Sequence, residues 1–98
     1  MAIGIIMEFD GMGEDVYEGV REKINWPDNW ADGIQHHLAG PVEGGMRIVE
    51  VRDSREQYDR WMAETIQPAL REVVGAETLE SAPPPRVTEF DLRRSESR

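Results

Sequence analysis

Near the middle of this 98-residue chain, the hexapeptide Gly40-Pro41-Val42-Glu43-Gly44-Gly45 separates two strand-like runs, residues 33–39 and 46–52. Glycines and a proline so placed supply hairpin turn chemistry, so the two runs are expected to pair as adjacent antiparallel strands. A strand and a helix flank this hairpin on each side. Residues 2–9 are rich in isoleucine and end at Asp10-Gly11-Met12-Gly13, which reads as a strand closed by a turn. In residues 14–24 Val16, Val20 and Ile24 recur every four positions with Tyr17 beside them, while Glu14, Asp15, Glu18 and Glu22 decorate the other side. That spacing predicts an amphipathic helix whose acids sit near its positive end. Pro27 stops it, and residues 25–30 read as a loop. After the hairpin, Asp53-Ser54 offers N-cap chemistry to a helix carrying Tyr58, Trp61, Met62 and Ile66 on one face. Pro68 is expected to break or kink it before Ala69, Leu70, Val73 and Val74 continue a second segment to Gly75. Pro83-Pro84-Pro85 makes a stiff connector, residues 86–92 a last strand, and residues 93–98 a polar tail.

The order strand, helix, strand, strand, helix, strand is the split β-α-β arrangement of a ferredoxin-like α+β domain. The chain is long enough for one such domain, assigned to residues 1–92, and too short for two. Both helices fall on one sheet face. The natural cover for the other is a second copy of the chain, so a homodimer with two sheets packed into a barrel is expected. Charge narrows the partners. Twenty acids against eleven bases give a net of −9, and the first 45 residues alone hold nine acids and two bases. Such a surface disfavours nucleic acid and anionic membrane. There is no cysteine, hence no disulfide, thiolate metal site or thiol nucleophile. The apolar run of residues 3–7 is far too short to span a membrane and lacks the basic flank of a signal peptide, so a cytoplasmic location is expected. Ten arginines against one lysine point to a GC-rich bacterial source.

Around the hairpin, the run His-x-Ala-Gly-x-x-x-Gly-Gly-x-Arg falls on His37, Ala39, Gly40, Gly44, Gly45 and Arg47. With Gly33-Ile34-Gln35-His36 before it, Ile48-Val49-Glu50-Val51 after it, and the later Asp53-Ser54-Arg55-Glu56-Gln57-Tyr58 and Gln67-Pro68-Ala69-Leu70, it resembles small bacterial proteins of the dimeric α/β-barrel superfamily. These are related to the antibiotic-biosynthesis monooxygenases. The resemblance runs roughly from residue 3 to residue 92 and is strongest to the branch with no assigned activity. It implies a ferredoxin-like protomer, a barrel-forming dimer and a pocket between sheet and helices. Superfamily activities range over cofactor-free monooxygenases of aromatic polyketides, haem-degrading enzymes, muconolactone isomerases and chlorite-dismutase relatives, and fold alone does not choose among them. No Asn, Trp and His set matches the haem-degrading members, and no nucleotide fingerprint is present, so no cofactor is expected.

His37 is the candidate catalytic residue, because an imidazole titrating near neutrality can move a proton beside a phenol or carbonyl. Strict strand alternation places it on one face with Gln35 and Ala39, and places His36 on the other with Ile34 and Leu38, which looks like core. On opposite faces the two histidines are not placed to share a metal, and no metal site is expected. Gln35 is a candidate substrate contact. So is Arg47, whose guanidinium suits an anionic oxygen, with pairing to Glu8 as the structural alternative. Trp26 and Trp30, two indoles in a polar loop, are candidate walls of an apolar cavity. Glu8 and Glu50 are strand carboxylates able to act as bases if buried without a partner. The reading is a cofactor-independent monooxygenase or an isomerase/cyclase acting on a small aromatic or polyketide-like compound. The alternative is a non-catalytic small-ligand-binding or interaction protein.

Overall fold

The computed structural model describes residues 2–28 and 33–98. Four strands, β1 (Ile3–Asp10), β2 (Ile34–Val42), β3 (Gly45–Arg52) and β4 (Arg86–Asp91), form one antiparallel sheet in the order β2-β3-β1-β4. Helix α1 (Glu14–Ile24) links β1 to β2, and β3 lies between those two strands, so the first half is a split β-α-β unit. The second half repeats the plan: from β3 the chain runs through helices to β4, which pairs with the far edge of β1. This is the ferredoxin-like α+β fold.

Alternation in β1 sets the layering. Ile3, Ile5 and Met7 point to the helices and are buried, whereas Ile6 and Glu8 point to the other side and are half-buried. Ile48 and Tyr58 close the core around them, with Phe9, Tyr17 and Met62 packed at its margin. On the far face Gly4 is buried under a ring from the neighbouring strand, and a β-carbon there would run into Phe90. The hairpin turn is tight: Gly44 has φ +82°, which suits glycine, and a β-carbon on Gly45 would strike the Phe9 carbonyl.

Of the break or kink expected at Pro68, the second helical region shows no break. Helix α2 (Arg55–Trp61) starts at Ser54, whose Oγ accepts the Gln57 N–H at 3.2 Å. A π-helical turn (Met62–Ile66) then leads directly into α3 (Gln67–Val74). Pro68 is the cause. In a regular helix it would lack the N–H for the Glu64 carbonyl and its ring would collide there. Widening the preceding turn, with the Gln67 N–H bonded to the Met62 carbonyl, lets the chain stay helical through the proline. A short helix α4 (Ala76–Ser81), not foreseen in the sequence, follows Gly75.

Among the described residues, one face of the four-stranded sheet carries no helix. Ile6, Val49 and Val51 run along its centre, with Leu38 64% exposed and Phe90 47% exposed beside them. No helix among the described residues is long and apolar enough to cross a membrane.

Candidate functional site

An irregularity in β2 decides which histidine faces inward. Ile34 pairs with Arg52, but His36, two residues on, pairs with Val51, so Gln35 is an extra residue in a β-bulge. The bulge resets the alternation. Ile34 and His37 both lie on the helix-covered face, opposite Arg52 and Glu50, while His36 and Leu38 lie on the open face opposite Val51 and Val49. Strict alternation had paired His37 with Gln35 and put His36 in a core beside Ile34. Instead His36 is exposed, and Gln35 is exposed with its amide bonded to Asp53 Oδ1 at 2.6 Å.

His37 is the middle of a hydrogen-bonded chain of five side chains. Its Nδ1 lies 2.7 Å from Glu50 Oε2, and the other Glu50 oxygen accepts from Arg52 Nε at 2.9 Å. Its Nε2 lies 2.6 Å from the Tyr17 hydroxyl, which also accepts from Arg21 Nη1 at 3.3 Å. Glu50 fixes the protons. Burial by itself would raise its pKa, but the hydrogen bond from His37 and the charge and hydrogen bond of Arg52 outweigh this and hold the carboxyl below its ordinary value. An ionised carboxylate only accepts, so His37 Nδ1 carries the proton that bridges them. In the neutral ring Nε2 is then a bare acceptor, and the Tyr17 hydroxyl donates to it. This is a base oriented by a carboxylate, with a phenol hydrogen-bonded to its working nitrogen.

Arg52 is the unusual member. It is completely buried between Ile3 and Ile34 on the flanking strands, and its guanidinium carbon lies 5.5 Å from the Tyr58 ring centroid. Only Nε is used, on Glu50; Nη1 and Nη2 are buried with no hydrogen-bond partner among the described residues. A buried donor left unmet costs about 1–3 kcal/mol, more when charged. Tyr58, beneath this pair, has its pKa raised by burial and by the Glu50 charge.

The chain of polar groups lies along a cleft between the sheet and the helices. The space measures about 620 Å³ including its open mouth, of which about 70 Å³ admits the centre of a water molecule. That is several times the roughly 10–15 Å³ a single water needs. Met7, Phe9, Ile48, Trp61, Met62 and Leu70 are among its apolar walls. Trp61 and Met62 come from the start of the π-turn, so the local response to Pro68 also shapes the cleft. Trp26 stands at its edge, its ring centroid 5.1 Å from that of His37.

The structure therefore gathers His37 and Trp26 and leaves Gln35 and Arg47 elsewhere. Gln35 is tied to Asp53 outside the cleft. Arg47 lies on the open sheet face, donating to Glu8 Oε1 from Nε at 3.1 Å and from Nη2 at 2.9 Å, the structural pairing that its sequence position allowed. Trp30 lies outside the described residues. Tyr17, Arg21 and Arg52 were not singled out, and Glu50 was considered only as an unpartnered base. One signal was available. Met46, Ile48, Glu50 and Arg52 share a strand face, so a Glu-x-Arg pair continues a row of core residues. The equally apolar row of Val49 and Val51 masked it.

No protein-family model and no curated protein sequence matches the chain. Solved structures do match. SnoaB, a cofactor-independent oxygenase from Streptomyces nogalater, is 14% identical with a TM-score of 0.60, over 96% of this chain and 95% of that one. A Caulobacter crescentus protein provisionally named an antibiotic biosynthesis monooxygenase is 15% identical with a TM-score of 0.65, covering 95% and 91%. A dimeric protein of unknown function and ferredoxin-like fold from Bacteroides fragilis is 12% identical with a TM-score of 0.62, covering 93% and 96%. The chain has the fold of the antibiotic-biosynthesis-monooxygenase-like proteins. At such identities the likeness carries the backbone and not the side chains of the site.

Proposed function

We propose that this protein is a cofactor-independent enzyme that deprotonates a small aromatic or polyketide-like phenol or enol in the cleft, and then lets it react with dioxygen or rearrange. The observation that carries the reading is the Glu50–His37–Tyr17 chain set along an otherwise apolar cleft. Tyr17 is the group that meets the substrate. As the substrate hydroxyl gives its proton to the Tyr17 oxygen, the Tyr17 proton passes to His37 Nε2, and Glu50 stabilises the imidazolium that forms. The electron-rich substrate anion then has two fates. A ring methylene takes up one oxygen atom of dioxygen as a carbonyl while the other leaves as water, or the proton returns at a different carbon. Apolar walls and Trp26 exclude bulk water from the anion.

The functional unit in this reading is a homodimer in which the open sheet face, with Leu38 and Phe90 exposed, packs on its copy. A dimeric neighbour of the same fold supports it. The location proposed is cytoplasmic.

A panel of hydroquinones and anthrone-type phenols, followed by oxygen uptake and product mass, tests the reading. Turnover should fall by about 10²–10⁴-fold in His37→Ala and comparably in Tyr17→Phe. Unchanged turnover in either variant removes that residue from the chemistry. A second reading has one observation in its favour: both ring nitrogens of His37 are already bonded in the resting protein. A non-catalytic ligand-binding protein would bind members of the panel and convert none of them.

A further inference from the structure

We infer that the cleft takes its ligand as an anion, a small aromatic carboxylate or phenolate whose oxygens sit on the terminal nitrogens of Arg52. This deepens the proposed function by giving the charge of the substrate, and it rests on the same cleft. Three observations carry it. First, Arg52 is one of the residues lining the cleft, it is completely buried, and among the described residues only its Nε has a hydrogen-bond partner. Nη1 and Nη2 form the end-on edge of the guanidinium, two parallel donors that match the two oxygens of a carboxylate or one shared phenolate oxygen. Second, among the described residues the charged groups lining the cleft are Arg21, Arg52 and Glu50, a balance of +1 in a chain whose net charge is −9. An isolated positive site on an acidic protein is the part of it most favourable to an anion. Third, the remaining walls are almost wholly hydrocarbon and aromatic, with Phe9, Trp26 and Trp61 among them. Those walls suit a ring and, being poorly polar, strengthen the charge interaction at its end.

The glutamate does not oppose this assignment. Glu50 holds the Nε side of Arg52, and its second oxygen faces His37, so the Nη edge is the one left for a ligand. Seated there, a ring carrying a second hydroxyl would lie in the cleft that Tyr17 and His37 also line. The anionic end orients it and the hydroxyl is the group that reacts.

Benzoate and its neutral isostere benzamide, titrated into the full protein and read by the Trp26 indole N–H resonance, test the inference directly. Benzoate should bind at least about 10-fold more tightly than benzamide, the scale expected of a charge-assisted pair. Arg52→Lys, which keeps the charge and loses the two-pronged edge, should remove most of that preference. Arg21→Gln, at the cleft margin, should reduce it and leave the fold intact. Equal binding of the two probes, tighter binding of benzamide, or no binding of benzoate overturns the inference in the unmodified protein, whether or not Arg52→Lys folds. Benzoate binding unmoved by Arg52→Lys overturns it too. The failure of the catalytic reading looks different. A protein that prefers benzoate yet converts no phenol keeps this inference and loses the enzyme, and one that oxidises neutral phenols without any anion preference does the reverse.

Discussion

Two arginine–glutamate pairs on this sheet have the same length and opposite meanings. Arg52–Glu50 and Arg47–Glu8 both close at 2.9 Å, and both involve β3. The first pair has side chains 0% and 5% exposed on the helix-covered face, and the second has side chains 51% and 23% exposed on the open face. In water the Coulomb attraction at this distance is offset by hydration and side-chain entropy, so the outer pair contributes little. Inside, hydration is gone. Each charge there depends on its partner, and the pair also sets the tautomer of His37. The difference teaches that the distance between two charges says little until the medium around them is known.

The largest expected effect breaks the inner pair. Glu50→Leu should destabilise the protein by about 3–5 kcal/mol in urea unfolding, because it strands a buried guanidinium. Adding Arg52→Met should recover most of the loss, as an apolar pair needs no partner. A double variant no more stable than Glu50→Leu would show that Arg52 is satisfied by other means. Next in size is the open face. Leu38→Glu with Phe90→Glu should reduce the mass in light scattering from about twice 11.2 kDa to the single-chain value. An unchanged dimer would put the interface elsewhere.

A smaller effect is acid sensitivity. The folded-state pKa of Glu50 lies below its ordinary 4.5, so its contribution to stability is fully present above that value and fades as pH falls through the folded one. Glu50→Gln should therefore flatten the loss of stability below pH 4.5, seen as a shallower fall in Tm between about pH 5 and 3. A slope identical to that of the unmodified protein would assign acid unfolding to other carboxylates. Least of all, Arg47→Gln should cost no more than about 1 kcal/mol if the pair stays in water at the rim of the dimer, and a larger loss would place it beneath the second subunit.

Much of the architecture was legible because it rests on local chemistry. The hairpin between β2 and β3, the four-residue stripe of α1, and the Ser54 cap followed by Gln57 each state their structure within a few residues, although Gly40, Pro41 and Val42 extend β2 by pairing with β3 and leave only Glu43-Gly44 as the turn. Pro68 predicts a break or a kink, and the wider π-turn that absorbs it is visible only with Trp61 and Met62 packed into the cleft. Helix α4 was missed because Ala76-Glu77-Thr78-Leu79 is too short to show a period.

The site was less legible for a sharper reason. Residue type alone picked out His37 as a proton carrier and Trp26 as a wall, and the order of elements alone determined the sheet, its helix-covered side and the need for cover on the other. The face His37 occupies depended on the bulge at Gln35, where one extra residue reverses the parity of everything after it. That bulge is a property of how β2 registers against β3. Likewise nothing in the spacing of Tyr17, Glu50 and Arg52 announces a joint network, since they come from α1 and from β3 and meet only when the helix lies on the sheet. Periodicity along the chain reports which side of an element is apolar. Which charged groups are then closed off from water together is settled by packing.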